Sequence, residues 1–298
     1  MRVGAILSQA DAGTDPTRIR RYARELEEAG YEHLMAYDHV LGASPERLGA
    51  GPFGGFPEPP YTSEHTFHEI LVLFSHLAAV TSTMEFVTSV VVLPQRQAPV
   101  VAKQVATMDL LSEGRLRLAV GAGWNAAEYM ALGADFDHRT AVLEEQIEVM
   151  RKLWTERIVT FDGRFHQLDR VGINPLPERP IPVMLGTRIA DAAMRRVARV
   201  ADGWMPLALP GIDRGTLAEG VRRMREICES QGRDPDSLPV FARVYFGPGW
   251  QAETETALRC GCADFSVGVN RFENPDMTLE DHLRILVETK PEIDSLVG

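Results

Sequence analysis

The chain places an aspartate beside a histidine, Asp38-His39, at the end of a short apolar run from His33 to Tyr37. An imidazole exchanges protons near neutral pH, and a neighbouring carboxylate adjusts its pKa and orientation. Adjacent residues at a strand end point different ways, so the two need not face one pocket. A second stretch, Gly121-Ala122-Gly123-Trp124, has small residues that let backbone approach a flat ring closely. Trp124 beside it suits a wall for such a ring, or packing beneath a loop. A third stretch, Leu185-Gly186-Thr187-Arg188, leads into a helical segment. Free N–H groups at a helix N-terminus favour a phosphate, and Thr187 and Arg188 add contacts, although threonine is also a plain cap.

Two further groupings carry less. His65-Thr66-Phe67-His68 sets two imidazoles at i, i+3, which share a face if the segment is helical. No third ligand has suitable spacing, so a metal site is not expected. Cys228, Cys260 and Cys262 are odd in number and match no zinc pattern, which reads as free, mostly buried thiols.

The elements that must position these residues are short apolar runs alternating with amphipathic stretches. The runs are Val3–Leu7, His33–Tyr37, Glu85–Val92, Leu116–Gly121, Pro182–Gly186, Gly203–Pro206, Val240–Phe246 and Asp264–Val269. Helical spacing follows each, beginning with Ile19, Tyr22, Ala23, Leu26 and Ala29 between Thr14-Asp15-Pro16 and Gly30. Other helices are expected over Glu64–Thr81, Pro99–Leu111, Thr140–Trp154, Ala190–Val200, Arg214–Ser230, Ala252–Leu258 and Leu279–Val287. Strict alternation over 298 residues predicts one closed (β/α)8 barrel, residues 1–298, with chemistry at the C-terminal ends of the strands. An Asp162-Gly163 turn marks a hairpin inserted between strands four and five. Leu41 to Pro60, rich in Gly and Pro, reads as a mobile lid or wall over the site, or else as a disordered surface excursion.

Bulk properties narrow the partners. A net charge of −11 disfavours nucleic acid and anionic membranes, and an anionic cofactor would need a local basic pocket. No signal-like segment follows Met1 and no run of 18 apolar residues occurs, so a cytoplasmic protein is expected.

The stretches Leu110-Leu111-Ser112-Glu113-Gly114-Arg115-Leu116, Val120 to Trp124, Asp38-His39, and Pro182 to Gly186 followed by Ala201-Asp202-Gly203-Trp204 stand in a specific order. In that order the chain resembles the luciferase-like monooxygenase superfamily, most closely its coenzyme F420-dependent branch. The likeness is clear from Met1 to about Leu207. It implies a deazaflavin cofactor touched by Asp38, Ser89, Val90, Ala122, Gly123, Trp124, Gly186, Thr187 and Arg188. It places Asp38 and His39 at the reacting end, with a cis peptide at Ser89–Val90. It also implies a small-molecule substrate and a homodimer. Some relatives acting on sugar phosphates carry a glutamate where Trp124 stands; its absence argues against that activity, and Glu128 is the nearest carboxylate. The acidic tail of F420 would call for basic residues, with Arg96 and Lys103 as candidates beside Arg188. In the Ser112 to Arg115 turn, Gly114 is expected at positive φ and Arg115 is expected to pair with Glu113 or Asp109. FMN with O2 is the alternative cofactor chemistry, and a non-catalytic cofactor-binding barrel is a third reading.

Overall fold

A computed structural model describes residues 1–49, 59–207, 216–269 and 276–298. Eight parallel strands form the barrel: β1 (Arg2–Leu7), β2 (His33–Ala36), β3 (Glu85–Thr88), β4 (Leu116–Gly121), β5 (Val183–Arg188), β6 (Gly203–Leu207), β7 (Phe241–Phe246) and β8 (Asp264–Val269). They pair in chain order from β1 to β6, and β8 lies between β1 and β7. Among the described residues the β6–β7 seam is joined by one isolated bridge, Trp204 to Val240. The predicted third strand is interrupted. Its Ser89–Val90 bond is cis, and Val91–Val92 then resumes pairing with β4.

Strand alternation sorts the side chains into two layers. Ile6, Met35, Val87, Ala119, Met184, Met205 and Phe241 fill the lumen. Their neighbours, among them Leu34, Phe86, Leu118, Leu185 and Val267, face outward onto the helices. The helices are α1 (Pro16–Glu28), α2 (Ile70–Ala78), α3 (Ala98–Leu111), α4 (Arg139–Thr155), α5 (Asp191–Val200), α6 (Leu217–Ser230), α7 (Trp250–Arg259) and α8 (Leu279–Val297). Among the described residues none is long and apolar enough to cross a membrane. The Asp15 side chain accepts from Thr17 N–H at 2.8 Å to open α1, with Pro16 in its first turn. Gly30 leaves it at φ 86°.

Several boundaries differ from the sequence expectation. α2 begins at Ile70 rather than Glu64, because the Glu69 side chain caps it through Val72 N–H at 2.8 Å. His65 instead folds back, its Nδ1 accepting from Thr62 N–H at 2.9 Å, while His68 Nε2 meets the Gly13 carbonyl at 2.8 Å. The two histidines therefore share no helix face. α8 continues beyond Val287, through Pro291, because Ile293 keeps its apolar stripe buried. The hairpin between β4 and β5, Val159–Asp162 with Gln167–Val171, is present as predicted. Glu145 of α4 receives its turn through the N–H groups of Arg164, Phe165 and His166.

The turn into β4 also corrects an expectation. Gly114 has positive φ as predicted, and so does Glu113. Arg115, however, pairs with no carboxylate in this turn. It donates to the carbonyls of Ala78 and Ser112, each at 2.8 Å, where the ends of α2 and α3 leave acceptors unmet. Asp109 is engaged by Arg179. At the N-terminal face of the barrel, Asp264 binds Arg2 at 2.8 Å and Arg117 at 2.7 Å, and Glu85 meets the same two guanidiniums.

Of the stretch Leu41–Pro60, residues 50–58 lie outside the described residues, and so does that part of the expected mobile lid. Pro45–Leu48 forms one helical turn capped by Ser44. Ser63 N–H donates to the Ala43 carbonyl at 2.9 Å, zipping the two ends of the excursion together. A Cβ on Gly42 would lie 2.4 Å from the Thr62 carbonyl oxygen, so only glycine permits this approach.

Candidate active site

The C-terminal mouth of the lumen is floored by Tyr37, Val90 and Tyr245, all packed against the lumen cluster. The hydroxyls of Tyr37 and Tyr245 hydrogen-bond to each other across the mouth, from β2's end to β7. The Val90 side chain is cradled by two glycines. A Cβ on Gly121 would come within 2.5 Å of Val90 Cγ2, and one on Gly186 within 2.4 Å of Val90 Cγ1. Glycines on two adjoining strands thus let a branched side chain stand in the mouth. Gly123, at φ 64°, makes the same kind of room for Val92. Ser89 is buried, its hydroxyl 3.3 Å from Met205 sulfur.

Asp38 and His39 diverge, as adjacent residues at a strand end should. Asp38 is 2% exposed. Its carboxylate accepts from Val92 N–H at 3.2 Å and from Arg96 at 2.7 Å. Burial pushes the Asp38 carboxyl up, and Arg96 and His39 restrain it. Burial by itself would lower Arg96, but Asp38 and Glu69 more than offset it. Both carboxylate oxygens of Asp38 are therefore engaged in bracing the chain beyond Ser89–Val90. Arg96, between Asp38 and Glu69, is not a spare cation for an anionic tail. Lys103 donates to the Asn174 carbonyl and is likewise engaged.

His39 faces the other way. Its ring stacks on Tyr61 with centroids 3.6 Å apart, and Phe67 meets it edge-on at 5.1 Å. Its Nδ1 lies 3.6 Å from Glu128 Oε2, too long for a hydrogen bond but close for a charge. Glu128 is 2% exposed and carries a full set of donors. One oxygen accepts from Val40 N–H at 2.6 Å and Leu41 N–H at 3.0 Å, and the other from the Tyr61 hydroxyl at 3.1 Å. Burial would raise the Glu128 carboxyl, but His39 and the Leu41 N–H outweigh it and hold it below its usual value. Asn125 caps the short helix Ala126–Ala131 and donates to the Tyr61 hydroxyl at 2.8 Å. Trp124 stands edge-on to Tyr61 at 5.8 Å, so His39, Tyr61, Phe67 and Trp124 form one aromatic wall.

Ala122, part-buried, accepts at its carbonyl from the Tyr129 hydroxyl at 2.5 Å. Gly186 opens into the mouth, whereas the Thr187 hydroxyl accepts from the Trp204 indole N–H at 3.0 Å. β5 runs through Arg188, which is exposed, and α5 starts only at Asp191. The carboxylate of Asp191 in that first turn is bound by Arg223 at 2.6 Å. The structure thus brings together Asp38, His39, Ser89, Val90, Ala122, Gly123, Trp124 and Gly186, with Thr187 turned outward and Arg188 at the rim.

Tyr61, Asn125, Gln9 and Arg96 enter the site without a motif of their own. Gln9, 1% exposed, holds the Tyr37 carbonyl and accepts from His68 N–H at 2.9 Å. Only their place after strand ends or in the neck of an excursion signals them. A cavity of about 1990 Å³ lies at the opposite end, between the hairpin, α4 and the N-terminal face. Its charges pair among themselves, Glu144 with Arg196 at 2.6 Å for example, on the stability face of such barrels.

Comparison with known proteins agrees with this fold. The chain is 34% identical over 227 residues to the uncharacterized protein Rv0940c of Mycobacterium tuberculosis, covering 74% of this chain and 75% of that one. The monooxygenase RslO1 from Streptomyces bottropensis superposes with a TM-score of 0.69 at 19% identity, over 97% of this chain and 98% of that one. An F420-dependent secondary alcohol dehydrogenase, solved with an F420-acetone adduct, superposes with a TM-score of 0.65 at 19% identity, over 87% and 73%. The barrel and a family model that matches residues 1–277 lead to one conclusion: the chain belongs to the luciferase-like monooxygenase family.

Proposed function

We propose that the protein is an F420-dependent oxidoreductase that moves a hydride between the deazaflavin and a small organic substrate, with His39 handling the accompanying proton. The observation that carries the reading is His39 itself: a largely buried imidazole on the mouth's aromatic wall, 3.6 Å from a carboxylate held ionised by its donors. When bound, the deazaflavin supplies a ring carbon that accepts or donates a hydride. Oxidising an alcohol carbon also requires that its hydroxyl proton go to a base. His39 takes that proton, and Glu128 stabilises the imidazolium that results; in the reverse direction His39 returns it.

The mouth suits a flat ring. Val90, raised between Gly121 and Gly186, supports one face, and Ser89, Ala122, Gly123 and Trp124 border it. Asp38 secures this border through Val92 and Arg96. Gly186, Thr187 and Arg188 stand on the side proposed for the phosphate.

The test is a titration of purified protein with F420 and with FMN. F420 should bind at least tenfold more tightly, about 1.4 kcal/mol. His39→Gln should keep that binding and lose at least a hundredfold of isopropanol-dependent F420 reduction, the probe suggested by the dehydrogenase neighbour. Equal or tighter FMN binding with substrate-dependent O2 uptake would support the flavin monooxygenase reading instead.

A further inference from the structure

Arg117 and Arg243 both stand at inward-facing positions of barrel strands, and they are treated differently. Arg117, at the N-terminal end, stands between Glu85 at 3.3 Å and Asp264 at 2.7 Å. Arg243 has no carboxylate partner among the described residues. It lies on β7 between Phe241 and Tyr245, both of which belong to the lumen layer, so strand alternation sends it inward as well. One Nη2 N–H donates to the Pro206 carbonyl at 3.1 Å, where the β6–β7 seam has parted. Its Nε is buried without a hydrogen-bond partner. Tyr245, the next inward residue, carries the hydroxyl that meets Tyr37 across the mouth.

A guanidinium offers five N–H donors in a planar fork, and Arg243, part-buried, gives one of them to a backbone carbonyl and leaves its buried Nε–H unpaired. A buried donor left unmet is costly, and an acceptor oxygen at the guanidinium would meet it. The position therefore makes sense for an oxygen-bearing group arriving from the mouth, where a charge-assisted contact is strong. In a chain with net charge −11, such a local cation is also what would draw an anionic molecule inward.

We infer that Arg243 is an oxyanion-binding residue of the mouth, recognising a carboxylate or carbonyl oxygen of the molecule that occupies it. The inference rests on the proposed use of the mouth for cofactor and substrate. Two sources carry this chemistry: a carboxylate or carbonyl on the substrate, or a ring carbonyl of the cofactor.

The experiment reads Arg243 directly. In protein labelled with 15N-arginine, the Arg243 Nε–H resonance is assigned by its loss in Arg243→Lys and followed during titration with benzoate, then separately with F420. Fluorescence titrations of the wild type, Arg243→Lys and Arg243→Gln run beside it. A benzoate-dependent shift, with at least tenfold weaker benzoate binding in Arg243→Gln partly recovered in Arg243→Lys, assigns the site to substrate. A shift only with F420, with at least tenfold weaker F420 binding in Arg243→Gln, assigns it to the cofactor. An Nε–H resonance unmoved by both ligands would overturn the inference. The benzoate arm needs no cofactor, so failure of F420 to bind the wild type would count against the proposed function alone.

Discussion

Glu128 and the Tyr61 hydroxyl are joined by a 3.1 Å hydrogen bond, and through it one carboxylate holds both ends of a chain excursion. Its other oxygen takes the N–H groups of Val40 and Leu41, where the chain leaves β2. Tyr61 lies where the chain returns, stacked on His39. The neck of the excursion and the orientation of the imidazole are thus fixed by the same buried group.

Glu128→Ala should therefore cost roughly 2–4 kcal/mol of stability, since it strands buried donors that had a charged acceptor. Glu128→Gln keeps an acceptor for Val40 and Leu41 and should cost less, while lowering kcat by about tenfold through loss of the charge beside His39. Urea unfolding and steady-state kinetics separate the two effects. Equal stability losses in both variants would refute the assignment.

The sign of the Glu128 pH effect also follows. Its folded pKa lies below the usual 4.5, so its contribution is present above pH 4.5 and is lost as pH falls through the lowered folded value. Glu128→Gln should flatten the stability curve in that acid range.

Tyr61→Phe removes two hydrogen bonds, to Glu128 and from Asn125, yet keeps a ring beneath His39. It should lose about 1–2 kcal/mol of stability and little kcat. Tyr61→Ala also removes the stacking face and should lower kcat by at least tenfold more than Tyr61→Phe. Identical kcat values in the two variants would show that stacking does not position His39.

His33 sits at the opposite end of the lumen, its Nε2 2.7 Å from Ser266 Oγ. Burial, aided by Arg117 and Arg2, pushes its pKa down to about 3. The unfolded chain binds that proton near pH 6.5 and the folded protein does not, so stability falls as pH drops below 6.5 toward 3. The slope due to His33 is about 1.4 kcal/mol per pH unit at most. His33→Gln should remove that slope between pH 6.5 and 4.5. Urea midpoints that still fall as steeply would contradict the role.

Gly186→Ala places a methyl 2.4 Å from Val90 Cγ1. Overpacking of this kind costs about 1–3 kcal/mol. Val90→Ala in the same chain should relieve it, so the double variant should be less destabilised than the sum of the singles. Additive losses would mean that the two side chains do not compete for the mouth.

The alternation of apolar runs with helical stretches determined the barrel, because burial on two faces dictates the pattern of a parallel strand and on one stripe that of a helix. The strand ends, and with them the neighbourhood of His39, Gly121 and Gly186, followed from that pattern. Other features are settled by contacts between residues far apart in the chain. Asp38 turns inward to Arg96 while His39 turns to Glu128, because strand geometry separates neighbours and tertiary partners then claim each one. Arg115 serves carbonyls left open at the ends of α2 and α3 rather than the acids beside it in sequence. Tyr61 belongs to the site only because the excursion closes on Glu128, 67 residues away, a meeting to which no local periodicity points.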